Sequence, residues 1–268
     1  MATAMQPADK PWYPLVVLRC LIGYAFFFFS NIGFMVLVVP FFLLLTPLPQ
    51  IQKKTIRIIM HWYVVFLTRF WLPLLRVYTI HAEPALNREL PAPCILVANH
   101  RSRLDAQLLL SYFKNTGVVI KSSYTSIPVF AAFVKYLDFI SIESTSVRSL
   151  ETARARCSKL FEQKRNLLIF PEGTRAPSGR ILPFKDLAFR LSMEFDIPIV
   201  PIAIHTELPF MARIKGSIFP PYQFKYTIRA LNPCTTLKDE TTGEFADRVQ
   251  KLIAVEIKGL DRGTIWEQ

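Results

Sequence analysis

CILVANHRSRLDAQLL, residues 94–109, joins a continuous apolar run to a helical pattern through a short polar loop. The run CILVA is typical of a strand that is covered on both faces, as in a parallel sheet. His100 comes shortly after it, and Asp105 stands five positions later, where the helical pattern begins. Because functional loops of such sheets lie at the carboxyl ends of the strands, this loop is a candidate site.

Strand and helix patterns alternate along the chain from about residue 83 onward. Apolar strand patterns occur in GVVIKS, DFISI, NLLIF, IPIVPIAI and FKYTIRAL, whereas SLETARARCSKLFEQK and FKDLAFRLSMEF have helical spacing. A last helix is expected to begin at Thr241-x-x-Glu244, which has the spacing of a capping box. The alternation predicts an α/β fold in which helices flank a sheet.

Residues 20–45 are apolar and carry no formal charge. A helix of this length would cross a hydrocarbon core of about 30 Å. Pro40, Pro47 and Pro49 are expected to end or kink it. Basic residues flank the segment on both sides, so loop charge leaves its orientation open. A full span and a helical pair that enters one leaflet are two alternatives.

Residues 53–80, KKTIRIIMHWYVVFLTRFWLPLLRVYTI, mix basic and aromatic side chains. On a helical wheel most of the polar side chains fall within about 120°, and Trp and Tyr are typical of membrane interfaces. We therefore predict an amphipathic helix at the headgroup level. The alternative is a helix packed on the globular domain with its basic edge in water. The predicted division is a membrane-anchoring region at residues 1–82 and a globular domain at residues 83–268.

The net charge of +12 over 268 residues predicts a surface that attracts anions. The basic residues are dispersed, so the sequence favours an anionic membrane surface and disfavours nucleic acid as a partner. The four cysteines are scattered without a CxxC pair, which predicts reduced thiols and neither a zinc site nor a disulfide framework. The four histidines have no companions at ligand spacing, so we predict no metal.

A second polar cluster lies in LLIFPEGTRAPSGR, residues 167–180. Pro171 ends the strand pattern because it cannot donate to a sheet ladder. Gly173 lets the backbone approach a ligand closely, and Arg175 offers a forked cation suited to phosphate. Taken singly, this cluster also fits a turn with solvated charges. His100 and Asp105 likewise fit a loop histidine followed by a carboxylate at a helix N-terminus.

Together, the segments NHRSRLD and FPEGTR resemble the glycerolipid acyltransferase family, the 1-acylglycerol-3-phosphate acyltransferases and their relatives, which carry an HX4D motif. The resemblance covers roughly residues 80–230, and LPFKDLAF and IPIVPIAI are also similar to blocks of the family. It implies a mixed sheet flanked by helices, an N-terminal hydrophobic helical anchoring segment, and an O-acyltransferase domain at residues 83–268.

In this family the histidine takes the proton of a free hydroxyl on the acceptor lipid, and the oxygen attacks the thioester of an acyl donor. The resemblance thus implies that His100 is the general base and that Asp105 orients it. No covalent acyl-enzyme is needed, and Ser102 would not be a nucleophile. The resemblance also implies substrate binding by Lys121, Glu172, Gly173, Thr174 and Arg175.

The implied reaction converts 1-acylglycerol 3-phosphate to phosphatidate in phospholipid biosynthesis. Its co-substrate is acyl-CoA or acyl-carrier protein, and it needs no cofactor. The lysolipid acceptor lies in a bilayer, and acyl donors are made in the cytosol. The resemblance therefore implies a protein of the inner, cytoplasmic membrane whose catalytic domain faces the cytosol.

Three departures from the family pattern concern the acceptor. The expected glycine is not evident in KSSYTSIPVFAAF, and Leu187 replaces a common glycine. The strand FISI is followed by Glu143 instead of the arginine credited with holding the acceptor phosphate. Arg148 and Arg154 are the nearest replacements along the chain.

These departures leave alternatives to the leading function. The acceptor could be another lysophospholipid or an amino-acid lipid, with the same transfer chemistry. The chain could also be a catalytically silent membrane protein that binds lipid. A hydrolase is disfavoured, because no Ser or Cys nucleophile stands in an elbow motif.

Overall fold

The computed structural model describes residues 13–44, 49–83, 90–126, 134, 137–143, 147–176, 180–211, 219–220 and 223–261. The strands in these ranges are β1 Tyr78–Ala82, β2 Ile95–Ala98, β3 Thr116–Lys121, β4 Ile140–Ile142, β5 Asn166–Ile169, β6 Ile199–Thr206 and β7 Phe224–Ala230. They form one sheet in the order β1-β7-β6-β2-β5-β3-β4.

The sheet is mixed, which confirms the expected fold class. Strands β6, β2, β5, β3 and β4 are parallel, β7 is antiparallel to β6, and β1 is parallel to β7. The central strands β2 and β6 are buried at every residue, which explains why their sequences are apolar without alternation. The six strands expected from the sequence are present, and β1 is the strand that it did not predict.

Helices cover both faces of the sheet. They are α1 Tyr13–Leu44, α2 Pro49–Val65, α3 Leu72–Leu74, α4 Asp105–Tyr112, α5 Val147–Glu162, α6 Leu187–Phe195 and α7 Thr242–Asp261. One core joins α1, α2 and α4 to one sheet face, and a second core joins α5, α6 and α7 to the other. The capping box before α7 is confirmed, because Thr241 and Glu244 each accept the backbone N–H of the other.

Helix α1 is an apolar helix with two different sides. It continues through Pro40, so the helix does not end at that proline. Its segment Tyr13–Gly33 is long and apolar enough to cross a membrane. One side packs on the sheet domain, where the Tyr24 ring lies 5.1 Å from that of Phe210. The large side chains exposed on α1 are Leu15, Leu18, Leu21, Ile22, Phe28, Phe29, Ile32 and Val36.

The region predicted as one amphipathic helix over residues 53–80 is divided in the structure. Helix α2 ends at Val65, a π-helical turn and α3 follow, and the chain then enters β1. Val77 and Tyr78 are fully buried, and β1 pairs with β7 along its whole length. The prediction of a single helix through Ile80 is therefore wrong, because the last residues gain a place in the sheet core.

Two polar side chains of α2 have partners in the globular domain. Arg57 lies 3.1 Å from the carboxylate of Asp138, and His61 Nδ1 lies 3.1 Å from the carbonyl oxygen of Leu110 in α4. Helix α2 thus packs on the globular domain, as in the alternative, and its basic edge is exposed at Lys54 and half-buried at Arg57. The large side chains exposed on α2 and the turn after it are Ile51, Ile58, Trp62, Phe66, Phe70 and Leu74.

Strand β1 lies within residues 1–82, the region assigned to the anchor, yet it is an edge strand of the sheet. The sheet therefore begins before residue 83. Cys20 of α1 and Ile56 of α2 also belong to the core beneath one sheet face. The anchoring helices and the sheet are thus packed against each other, and the functional division at residue 83 stays a prediction.

Gly117 of β3 lies where a side chain has no space. A Cβ at this residue would lie 2.5 Å from Leu160 Cδ1 and 3.1 Å from the carbonyl oxygen of Asp138. Leu160 is 3% exposed, so its neighbours limit how far it moves. We predict that Gly117→Ala lowers the free energy of unfolding by about 1–3 kcal/mol, the usual range for overpacking, in urea unfolding in a neutral detergent.

The matched control is Gly243 of α7, where a Cβ would meet nothing within 4 Å. Gly243→Ala is expected to leave stability unchanged or to raise it by up to about 1 kcal/mol, because alanine is the better helix former. Equal destabilisation by the two substitutions would contradict the packing described for β3.

Candidate active site

The two polar clusters meet at the carboxyl ends of neighbouring parallel strands. Strands β2 and β5 pair directly, so the loop after β2 faces the loop after β5. Asn99, the first residue after β2, donates to the carbonyl oxygen of Ile204 at 2.9 Å and accepts its N–H at 2.8 Å. These two bonds extend the pairing of β2 with β6 through a side chain, and they determine where the loop begins.

Asp105, the first residue of α4, is fully buried beneath this loop. Its Oδ2 lies 2.9 Å from His100 Nδ1 and accepts the backbone N–H groups of Arg101 at 2.8 Å and Ser102 at 2.7 Å. Because a carboxylate only accepts, Nδ1 of the histidine carries the hydrogen. The neutral imidazole therefore keeps its lone pair on Nε2, the form that can take a proton.

The His100 ring is held from two directions. Asp105 binds its Nδ1 edge, and the ring of Phe170 stacks on it with 4.4 Å between centroids and 30° between planes. The His100 side chain is 22% exposed, so part of the ring remains accessible. The arrangement can supply a general base of fixed orientation, by the same logic as the His–Asp pair of hydrolases.

Glu172 joins the second cluster to the first. Its Oε1 accepts the N–H of His100 at 2.7 Å, and its Oε2 accepts that of Leu182 at 2.9 Å. The carbonyl of His100 in turn accepts the N–H of Ala176 at 3.0 Å. Burial raises the pKa of Glu172, against the effect of the two N–H groups. Glu172 thus positions the His100 backbone, and its implied contact with the acceptor glycerol stays a prediction.

The turn after Glu172 requires glycine at residue 173. A lysine of a later segment, Lys185, packs against this turn, and the sequence analysis did not single it out. Gly173 has φ of 66°, a region that disfavours residues with a Cβ. A Cβ there would lie 3.0 Å from Lys185 Nζ. The backbone N–H of Lys185 donates to the carbonyl oxygen of Pro171 at 3.0 Å. Lys185 belongs to the segment LPFKDLAF, so its place in a family-like block was the available signal.

Three other predicted substrate-binding residues also lie at the carboxyl ends of the strands. Thr174 and Arg175 are exposed in the turn after β5, and Lys121 is exposed at the end of β3, the neighbour of β5. In the described part of the chain, no carboxylate forms an ion pair with Arg175 or Lys121. Pro128, a weaker candidate from the same segment as Lys121, lies outside the described residues.

Ser102 is a structural residue of the loop. It is 1% exposed. Its Oγ accepts the N–H of Phe210 at 2.9 Å and the hydroxyl of Tyr226 at 2.6 Å. A hydroxyl that is buried and bonded in this way is not available to attack a substrate.

A buried ionic cluster beside the site was missed by the sequence analysis. Arg101 is 3% exposed, and its two terminal nitrogens donate to both carboxylate oxygens of Asp261 at 2.6 and 2.7 Å. His205 Nδ1 lies 2.9 Å from the same carboxylate. Burial opposes ionisation of Asp261, but the hydrogen bonds from Arg101 and His205 lower its pKa overall. The last residue of α7 thereby holds the loop of His100 from 160 residues away.

The site thus consists of a His–Asp pair at the carboxyl ends of parallel strands, next to the turn that carries Glu172. The family model described as Acyltransferase matches residues 79–205, from β1 to β6. The match contains both polar clusters. Over these residues, the resemblance to the glycerolipid acyltransferase family drawn from the motifs is confirmed.

The chain is 33% identical over 112 residues to the chloroplastic 1-acyl-sn-glycerol-3-phosphate acyltransferase BAT2 of Brassica napus. The aligned residues make up 42% of this chain and 33% of that protein. It is 30% identical over 172 residues to the 1-acyl-sn-glycerol-3-phosphate acyltransferase of Saccharomyces cerevisiae. Here the aligned residues make up 62% of this chain and 56% of that protein. The chain thus spans one third to just over half of the length of these relatives.

The crystal structure of the 1-acyl-sn-glycerophosphate acyltransferase from Thermotoga maritima has the same fold. It matches with a TM-score of 0.71 at 21% identity, over 92% of this chain and 98% of that chain. This likeness confirms the predicted α/β architecture with its N-terminal helices.

Removing Asp261 would leave Arg101 buried without its carboxylate. We predict that Asp261→Ala lowers the free energy of unfolding by about 3 kcal/mol or more, because an uncompensated buried charge is costly. The control is Glu194→Ala, which breaks a pair whose side chains are 61% exposed in Arg154 and 34% in Glu194. That change is expected to cost less than about 1 kcal/mol. Urea unfolding would contradict the account if the two losses were the same.

Proposed function

We propose that the chain is a membrane-bound O-acyltransferase that moves an acyl group from acyl-CoA or acyl-carrier protein to 1-acylglycerol 3-phosphate, giving phosphatidate. The observation that carries the proposal is the pair of His100 and Asp105, with Nδ1 and Oδ2 2.9 Å apart and the carboxylate fixed by two backbone N–H groups. The names of the curated relatives include this acceptor.

In the proposed reaction, His100 Nε2 takes the proton of the free hydroxyl of the acceptor. The oxygen forms a bond to the carbonyl carbon of the thioester, and the carbon–sulfur bond breaks. The departing thiolate takes the proton from the imidazolium, which returns His100 to its neutral form. Asp105 stabilises the imidazolium through the Nδ1–H hydrogen bond. No side chain is acylated, in keeping with the buried Ser102.

The acceptor phosphate is assigned to the cations around the Gly173 turn. Arg175 and Lys185 are both exposed there, and Lys185 Nζ lies against Gly173. Lys121 adds positive charge at the same sheet edge. Arg154, one replacement considered for the family arginine, is paired with Glu194 on α6 and is less suited to the role.

The packing of α1 favours a helical pair that enters one leaflet over a full span. Cys20 and Tyr24 lie inside the apolar segment Tyr13–Gly33, yet they are buried in the core shared with the sheet. Lipid therefore cannot surround this helix on all sides. The exposed apolar sides of α1 and α2 would lie in the leaflet and bring the site to the depth of the lysolipid.

We place the protein at the inner, cytoplasmic membrane with its sheet domain in the cytosol. Acyl-CoA and acyl-carrier protein are cytosolic, and the net charge of +12 suits both an anionic lipid surface and an anionic donor. These two donors are the co-substrates, and the acceptor is a lysolipid of the bilayer.

A second candidate is acyl transfer to a different lysolipid. The observation in its favour is Glu143, an exposed carboxylate at the end of β4 where the family has an arginine. A headgroup that carries an amine would suit a carboxylate at this position. The mechanism at His100 would be the same.

The reaction is tested with the purified chain in neutral detergent, labelled acyl-CoA or acyl-carrier protein, and a panel of lysolipids. We predict that His100→Ala lowers kcat/KM by about 10²–10⁴-fold, because the general base is lost. The control is His81→Ala, which changes an exposed histidine of β1 and is expected to retain native activity.

Each outcome of the panel has a distinct meaning. Preference for 1-acylglycerol 3-phosphate supports the proposal, whereas preference for another lysolipid moves the assignment to the second candidate. Full activity of His100→Ala would remove this residue as the base. No transfer by the native chain with either donor would favour a catalytically silent lipid-binding protein.

A further inference from the structure

A cleft of about 540 Å³ lies beside α2, at the amino ends of β3 and β5, whereas His100 lies at the carboxyl ends of the strands. Its wall includes Thr116, the first residue of β3, and Arg165, which directly precedes β5. His100 instead follows the carboxyl end of β2, which is parallel to β5. Strands β2 and β5 have four residues each and span about 13 Å, so the cleft and His100 lie at opposite ends of these strands.

The cleft carries more positive than negative charge. Asp138 stands between the lining residues Leu137 and Phe139, and three cations share its carboxylate: Arg165 at 2.5 Å, Arg57 at 3.1 Å and Lys53 at 3.7 Å. No acidic side chain lies in the described lining of the cleft. Its basic lining residues are Lys54, Arg57, Lys114 and Arg165.

Arg165 is a buried cation that is only partly satisfied. It is 5% exposed, and its Nε has no hydrogen-bond partner in the described part of the chain. Burial lowers the pKa of Arg165 and the charge of Arg57 lowers it further, while Asp138 raises it. A phosphate oxygen in the cleft would supply both the absent acceptor and the absent negative charge.

The cleft opens at the side of the protein that would meet lipid. Ile58 and Trp62 line it and are 50% and 60% exposed on the apolar side of α2. Tryptophan is favoured at the headgroup level of a bilayer. Lys114 Nζ lies 5.5 Å from the centre of the Trp62 ring, so a basic group stands at the same depth.

We propose that this cleft is a second phosphate-binding site, which takes the headgroup phosphate of an anionic phospholipid from the surrounding bilayer. The cations bind the phosphate, and the apolar wall formed by Leu110, Phe113 and Phe139 faces the less polar part of the headgroup. A lipid bound here would fix the depth and rotation of α2 in the leaflet. The site does not depend on acyl transfer.

The test is a calorimetric titration of the full chain in neutral detergent with dihexanoyl phosphatidylglycerol below its critical micelle concentration. The variant Lys54→Ala/Lys114→Ala removes two exposed cations of the cleft. We expect it to bind about thirtyfold more weakly, from the usual contribution of two basic residues to anionic-lipid binding. The variant Lys159→Ala/Lys251→Ala removes the same charge from the exposed surfaces of α5 and α7, and native affinity is expected.

Two further titrations identify the ligand. Dihexanoyl phosphatidylcholine, which has no net charge, should bind at least tenfold more weakly than phosphatidylglycerol. Sodium phosphate should also bind far more weakly than the lipid.

Equal affinities of the two double variants for phosphatidylglycerol would overturn the site. Binding of phosphate alone as tightly as the lipid would overturn the lipid assignment and leave a site for a soluble phosphate. Because the readout is lipid binding, these outcomes are independent of whether acyl transfer is observed.

Discussion

One carboxylate oxygen organises the site. Oδ2 of Asp105 binds the His100 imidazole and the N–H groups of the next two residues, and it does so without contact with water. A buried carboxylate needs such donors, since an unpaired charge in the interior is costly. The loop must therefore curl around the start of α4, and that curl directs the histidine. The same requirement of the buried charge both folds the loop and selects the imidazole tautomer.

The surrounding structure keeps this loop in place from three sides. Asn99 attaches its start to β6, Glu172 binds the His100 backbone from the second cluster, and Asp261 holds Arg101 from the end of α7. Sequence elements far apart in the chain thus converge on a few residues at the end of β2. On the same sheet face as α4, the helices α1 and α2 carry the apolar surface that would meet lipid.

The sequence was sufficient for six of the seven described strands and for the two motifs, because both are local patterns: continuous apolar runs, then polar residues at fixed spacing. It failed where a distant partner decides the outcome. Residues 78–80 were assigned to the helix predicted over residues 53–80, but pairing with β7 makes Tyr78–Ala82 a strand. Arg101 and Asp261 are 160 positions apart, so no local pattern joins them. The pairing of Arg57 likewise depends on Asp138, which only the fold brings near.

The most direct measurement is the tautomer of His100, read from the ¹⁵N chemical shifts of histidine-labelled protein in detergent at alkaline pH. The His100 signals are assigned by their loss in His100→Ala. The account predicts a hydrogen on Nδ1 and a free lone pair on Nε2, because the Asp105 carboxylate only accepts. A hydrogen on Nε2 would contradict it, because that nitrogen could not then take a proton from the acceptor hydroxyl.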